Sequence, residues 1–124
     1  MNANVKKYGL LALKILAAAA FLAAGFAKLS GVEMMVATFD AIGVGQWFRY
    51  VTGIIEVASA IVLFVPGLQA YGAALLVCTM IGAILAHLLI LGPSPIPALI
   101  LGIISAIIAY AHRDQLPINA SKAR

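Results

Sequence analysis

Charge is scarce in this chain. Only 10% of its 124 residues are charged, where a soluble domain averages about 25%, and 65% are hydrophobic, where the average is about 45–50%. A chain this short leaves much of its surface exposed, so the apolar excess cannot be hidden in a core. Lipid is the solvent that suits such a surface. The net charge of +4 fits anionic headgroups better than nucleic acid.

Cysteine is nearly absent as well. The single Cys78 lies in an apolar stretch, which excludes an internal disulfide and two-cysteine redox exchange. A self-sufficient thiol oxidoreductase of the quinone-coupled kind is therefore disfavoured, and Cys78 reads as a small core or lipid-facing side chain. Phosphate-binding motifs are missing too. Gly43-Val44-Gly45 matches one in part but follows no strand. The serines lack a His–acid pairing, and no spacing of His, Cys or carboxylates suggests zinc or haem. No catalytic constellation and no metal site is expected. Asn119-Ala120-Ser121 fits a glycosylation acceptor and is read as incidental.

What is present is four apolar runs, approximately 8–27, 48–65, 69–91 and 96–111. Each approaches the roughly 20 residues a helix needs to cross about 30 Å of hydrocarbon. None alternates with period two, so strands are excluded. Breakers separate the runs: Ser30-Gly31 and Gly43-Val44-Gly45, Pro66-Gly67, and the proline-rich 92–97. The second and third connections are short enough to force antiparallel neighbours. The expected fold is all-α: one membrane domain over 1–124, an up-down bundle of four helices. Only the first connection, about 29–46, has room for more. The residues Val32–Asp40 are spaced for a short helix lying in the interface, with a simple ordered loop as the alternative.

The amino terminus, with Lys6-Lys7 before an apolar run, resembles a secretory signal. Lys14 interrupts the run, and an uncleaved first helix is expected. Lys6, Lys7, Lys14, Arg113, Lys122 and Arg124 all belong to the terminal regions, whereas Lys28 and Arg49 flank a first connection that also holds Glu33 and Asp40. Cytoplasmic segments are enriched in Lys and Arg, so both termini are expected in the cytoplasm and the long connection outside. Lys14 then snorkels inward, His112 and Arg113 anchor the interface, and Trp47, Phe48 and Tyr50 mark the outer headgroup boundary.

That orientation gathers three ionisable residues. Lys28 reaches the outer interface, Glu56 stands roughly 12 Å along the second helix, and His87 falls within roughly 6 Å of the outer end of the third. Arg49, Gly53 and Glu56 share a face at i, i+4, i+7, and Gly25 shares one with Lys28. Gly25 and Gly53 would let the backbones approach closely. A Lys28–Glu56 pair with Arg49 and His87 nearby is the expected cluster, for binding or for structure. A buried pair can simply lock helices in register.

Lys14, Ala24-Gly25-Phe26-Ala27-Lys28-Leu29, Gly53-Ile54-Ile55-Glu56 with Ala60 and Leu63, and then Met80 and Ala83 carry a family likeness. The chain resembles the DoxX family of small four-span membrane proteins of bacteria and archaea, from its first helix through its third. Lys14 departs from the pattern, where many members have arginine; lysine lacks the planar fork of donors. The resemblance implies a place in the cytoplasmic (inner) membrane. It also implies an association with membrane redox enzymes, since some relatives are subunits of thiosulfate:quinone oxidoreductase and others hold redox enzymes at the membrane. It makes Lys28 and Glu56 the residues that matter most.

Three readings follow. The first is an accessory, non-catalytic subunit or binding module, with an outer-leaflet pocket for a quinone headgroup, a lipid or a small anion. The second is a scaffold or homo-oligomer in which the pair only locks the bundle. The third, a small transporter or proton pathway, is opposed by an inner half with no polar track beyond Lys14 and by the lack of a broken-helix repeat.

Overall fold

A computed structural model describes residues 2–117. The carboxyl-terminal residues singled out above, Asn119-Ala120-Ser121, Lys122 and Arg124, lie outside the described residues. Among those described there are five α-helices and no strand: α1 (Ala3–Ser30), α2 (Glu33–Ile42), α3 (Trp47–Val62), α4 (Gln69–Ala86) and α5 (Ile96–Ala111). The helix α4 runs on through a π-helical segment, His87–Leu91. A 3-10 turn, Arg113–Gln115, follows α5.

Helix α1 begins five residues earlier than its apolar run, because Asn2 caps it. The Asn2 side chain accepts from the backbone N–H groups of Asn4 (2.8 Å) and Val5 (3.0 Å), groups that have no partner inside a helix. The helix stops at Gly31, whose φ of +74° suits glycine. There Gly31 N–H donates to the Lys28 carbonyl and Val32 N–H to that of Ala27, the paired bonds of a left-handed helix stop. Helix α3 ends at Val62, short of the expected 65, and tight turns carry the chain past Pro66. Proline disfavours helical backbone in the residue before it, which accounts for the earlier stop. The connection 29–46 does contain a helix, α2.

The long helices close a ring: α1 packs on α3, α3 on α4, α4 on α5, and α5 back on α1. At its centre Phe21, Leu63, Leu76 and Ile108 are fully buried among Ala17, Ala60 and Ala73. Large apolar side chains also face outward, among them Phe26 (70% exposed) and Leu89 (77% exposed). An apolar exterior of this extent is what a hydrocarbon solvent calls for. Helices α1 and α4 with its π segment, 28 and 23 residues, are long and apolar enough to cross a membrane; α5 is apolar but shorter, at 16 residues.

Chain direction alternates around the ring. At one end the start of α1 meets the end of α5, with Lys14 Nζ 3.5 Å from His112 Nε2. The start of α4 joins them, where Gln115 Oε1 accepts from Ala70 N–H (2.9 Å). Lys14 is thus not a lone snorkelling cation, since its ammonium abuts an imidazole. Burial and that neighbouring ammonium hold the His112 pKa below its ordinary 6.5, with Asp114 opposing. A lowered imidazole pKa means that the unfolded chain binds the proton more readily. The stability this group contributes is therefore full above pH 6.5 and is lost as pH falls through the lower folded pKa. Thermal unfolding in detergent should occur at progressively lower temperature as pH is lowered through that range. Lys14→Met should flatten the profile; an unchanged profile would remove Lys14 as a cause.

Candidate functional site

At the opposite end of the ring, the last turn of α1, the first half of α3 and the end of α4 surround a cavity of about 520 Å³, and α2 lies over it. Lys28, Glu56 and His87 all line it. The walls are otherwise mostly apolar, with Phe39, Phe48, Ile55, Met80 and Leu91 among them.

Lys28 arrives in the last turn of α1, where a cation also complements the negative end of the helix dipole. Its Nζ lies 2.8 Å from Glu56 Oε1. The carboxylate is 2% exposed and the lysine side chain 14%. At that distance the ammonium is the charged partner of Oε1, a contact of charge-assisted hydrogen-bond length. His87 opens the π segment, and its Nδ1 is buried without a partner. A π turn is rare inside helices and is found disproportionately at functional sites.

The pair can form because α1 and α3 nearly touch. A Cβ on Gly25 would stand 2.9 Å from the Gly53 carbonyl oxygen and 2.6 Å from Val57 Cγ2; one on Gly53 would stand 3.0 Å from the Gly25 carbonyl oxygen. Glycine at both positions lets the backbones meet, which shortens the reach from Lys28 to Glu56.

Arg49, also expected near the carboxylate, serves the helix end instead. It is buried, and its guanidinium donates to the Lys28 backbone carbonyl through Nη1 and to Gln46 Oε1 through Nε (2.8 Å). Gln46 Nε2 in turn donates to the Val36 carbonyl of α2 (2.9 Å). One arginine therefore adds a second donor to the Lys28 carbonyl at the end of α1 and, through Gln46, ties α2 down over the cavity. Phe48 is more than a boundary marker, since it lines the cavity and meets the Phe39 ring edge-on at 5.9 Å.

Some contributors gave no signal in the sequence. Thr38, Thr52 and Thr79 line the cavity, each donating its hydroxyl to the carbonyl one turn earlier: Met34 (2.8 Å), Phe48 (2.7 Å) and Leu75 (2.8 Å). Gly72 is a further close contact, where a Cβ would stand 2.9 Å from the Ser59 carbonyl oxygen. By contrast Gly82 has open space where its Cβ would be and lines the cavity. Cys78 also lines the cavity, and it is exposed rather than part of the core.

The outward-facing apolar side chains and the two helices long enough to cross a membrane fit a helical membrane protein. The profile of the DoxX-like family matches residues 12–111, and the chain belongs to that family. The match takes in all four helices of the ring, reaching past α4 through α5. No curated protein and no solved structure matches the chain.

Proposed function

We propose that this chain is a four-span, up-down bundle in the cytoplasmic membrane, with both termini in the cytoplasm and α2 in the outer interface. In its outer leaflet it binds an amphiphile, a quinone or a lipid, whose polar head rests against Lys28, Glu56 and His87. Its role is accessory: it presents or holds that molecule for a membrane redox enzyme, which supplies the redox centres. One observation carries the reading: a mostly apolar cavity of about 520 Å³ with the Lys28–Glu56 ion pair and the buried, unpartnered His87 Nδ1 in its wall. Binding sites for small molecules combine an apolar lining with a few placed polar groups in this way. A free small anion suits the cavity less well, because Glu56 already neutralises Lys28.

Family membership supports the membrane setting. The concentration of Lys6, Lys7, Lys14 and Arg113 at the termini end supports the orientation. The spans of α3 and α5, at 16 residues each, are short for a bilayer and call for local thinning or little tilt.

The test is mass spectrometry of quinone and lipid that co-purify with the full chain, for wild type, Glu56→Gln and Gly82→Phe. Gly82 has room for a side chain, so Gly82→Phe fills the cavity without straining the backbone. Both variants should lose at least about tenfold of the bound molecule, the equivalent of about 1.4 kcal/mol. Equal content in all three would overturn the reading.

The interlocked Gly25 and Gly53 favour a second reading, in which the ion pair locks α1 to α3 and the chain scaffolds other proteins or copies of itself.

A further inference from the structure

Donors and acceptors do not balance at the termini end of the ring. Gly67 N–H (3.1 Å) and Gln115 Nε2 (2.6 Å) both donate to Gln69 Oε1, and Ala70 N–H donates to Gln115 Oε1 (2.9 Å). Backbone donors thus fix which way both amides point, and Gln115 turns its NH2 group toward His112 Nδ1 at 3.4 Å. The other ring nitrogen, Nε2, faces the Lys14 ammonium at 3.5 Å. A neutral imidazole accepts at one nitrogen only and an imidazolium at neither, so at least one of these two contacts sets donor against donor. With Nδ1 accepting from Gln115, the Nε2 hydrogen and the ammonium stand side by side, two donors without an acceptor between them.

Charge is unbalanced in the same place. The one ion pair among the described residues, Lys28–Glu56, lies at the opposite end. Lys14 is also deep: 14 residues along α1 from Lys28 is about 21 Å, whereas the hydrocarbon layer is about 30 Å thick. Measured from Lys28, a layer of full thickness would leave Lys14 roughly 9 Å inside it. A cation at that depth needs a counter-charge.

We propose that Lys14 and His112 hold the phosphate of an anionic phospholipid in the leaflet at the termini end. A phosphate oxygen accepts from the ammonium and from Nε2–H together, which removes the conflict between the two donors and neutralises the cation. Lys7, two turns from Lys14 on the same face of α1, and Arg113, next in the chain to His112, add cations that favour a head of net negative charge. The occupant is a lipid because the site lies below the ordinary level of the headgroups and its neighbours on α1, Leu11 and Ile15, are exposed and apolar, as acyl chains require. The short spans of α3 and α5 bring the headgroups of that leaflet inward to meet it. The site lies at the far end from the cavity and stands or falls apart from it.

Native mass spectrometry of the purified full chain in detergent, titrated with dioleoylphosphatidylglycerol or dioleoylphosphatidylcholine, tests the proposal. The first molecule of the anionic lipid should bind at least about tenfold more tightly than the zwitterionic one. Lys14→Met should lose about tenfold of that affinity, while Lys14→Arg, which keeps the charge and offers phosphate a fork of donors, should stay within about threefold of wild type. Lys6→Met removes an equal charge from the exposed start of α1 and should also stay within about threefold. Equal losses in Lys6→Met and Lys14→Met would reduce the effect to general attraction and overturn the site. So would equal binding of the two lipids by wild type, a comparison that holds whether or not Lys14→Met folds. Displacement of the bound lipid by an equal concentration of glycerol phosphate would show a site for a free anion and overturn the lipid assignment.

Discussion

Replacing Lys28 by Met alone should destabilise the fold by about 3–5 kcal/mol, because it strands the Glu56 carboxylate, 2% exposed, in a wall of low dielectric. Glu56→Met alone should cost less. Lys28 is 14% exposed, and its flexible stem can carry the ammonium toward the interface. The double replacement, Lys28→Met with Glu56→Met, should recover most of the lost stability, since well-packed apolar groups often equal or better a buried ion pair. Reversible unfolding in mixed micelles measures all three. The co-purifying molecule then separates the two readings of the pair. If the pair is a lock, a refolded double variant keeps any bound amphiphile; if it is a binding site, stability returns and the amphiphile does not. A double variant no more stable than the single ones would show that the ion pair itself holds α1 on α3.

The second large effect is expected at Gly53. Gly53→Leu should destabilise by about 3 kcal/mol, at the upper end of what overpacking costs. The obstacles to a new side chain are the Gly25 carbonyl oxygen at 3.0 Å and Lys28 Cβ at 3.1 Å; the first is backbone and cannot turn aside. Separating α1 from α3 also lengthens the reach from Lys28 to Glu56, so bound amphiphile should fall along with stability. Gly82→Leu is the control, within about 0.5 kcal/mol of wild type, because nothing lies within 4 Å of a Cβ there. Equal losses at the two glycines would mean that the close approach of α1 to α3 does not set the cost, since helix propensity favours leucine over glycine at both.

The helices were legible where breakers bound an apolar run. The limits of α5 at 96 and 111 follow from the prolines before it and the His112-Arg113 step after it. The true start of α1 was hidden because an asparagine cap is one residue with no hydropathy. Helical phase put Lys28, Glu56 and Arg49 on faces that meet, but phase does not say which acceptor each cation takes. Arg49 is long enough to reach back to the end of α1, where the Lys28 carbonyl, bonded once by Gly31 N–H, has a second lone pair to offer, while Lys28 already occupies the carboxylate. The threonines went unread because a hydroxyl bonded to its own helix looks neutral in an apolar segment. Gly72 and Gly82 read alike as letters, and only their neighbours across the α3–α4 groove and the cavity separate them.

The alternating direction of the helices also sorts charge. The termini end holds Lys6, Lys7, Lys14 and Arg113 against Asp114, while the α2 end holds Lys28 and Arg49 against Glu33, Asp40 and Glu56. The described chain is thus a short electrical dipole, net positive at one end and slightly negative at the other. A membrane potential is worth about 2.3 kcal/mol per elementary charge per 100 mV. In the proposed orientation the positive end faces the negatively charged interior, so an energised membrane exerts a torque that holds the molecule as it was inserted.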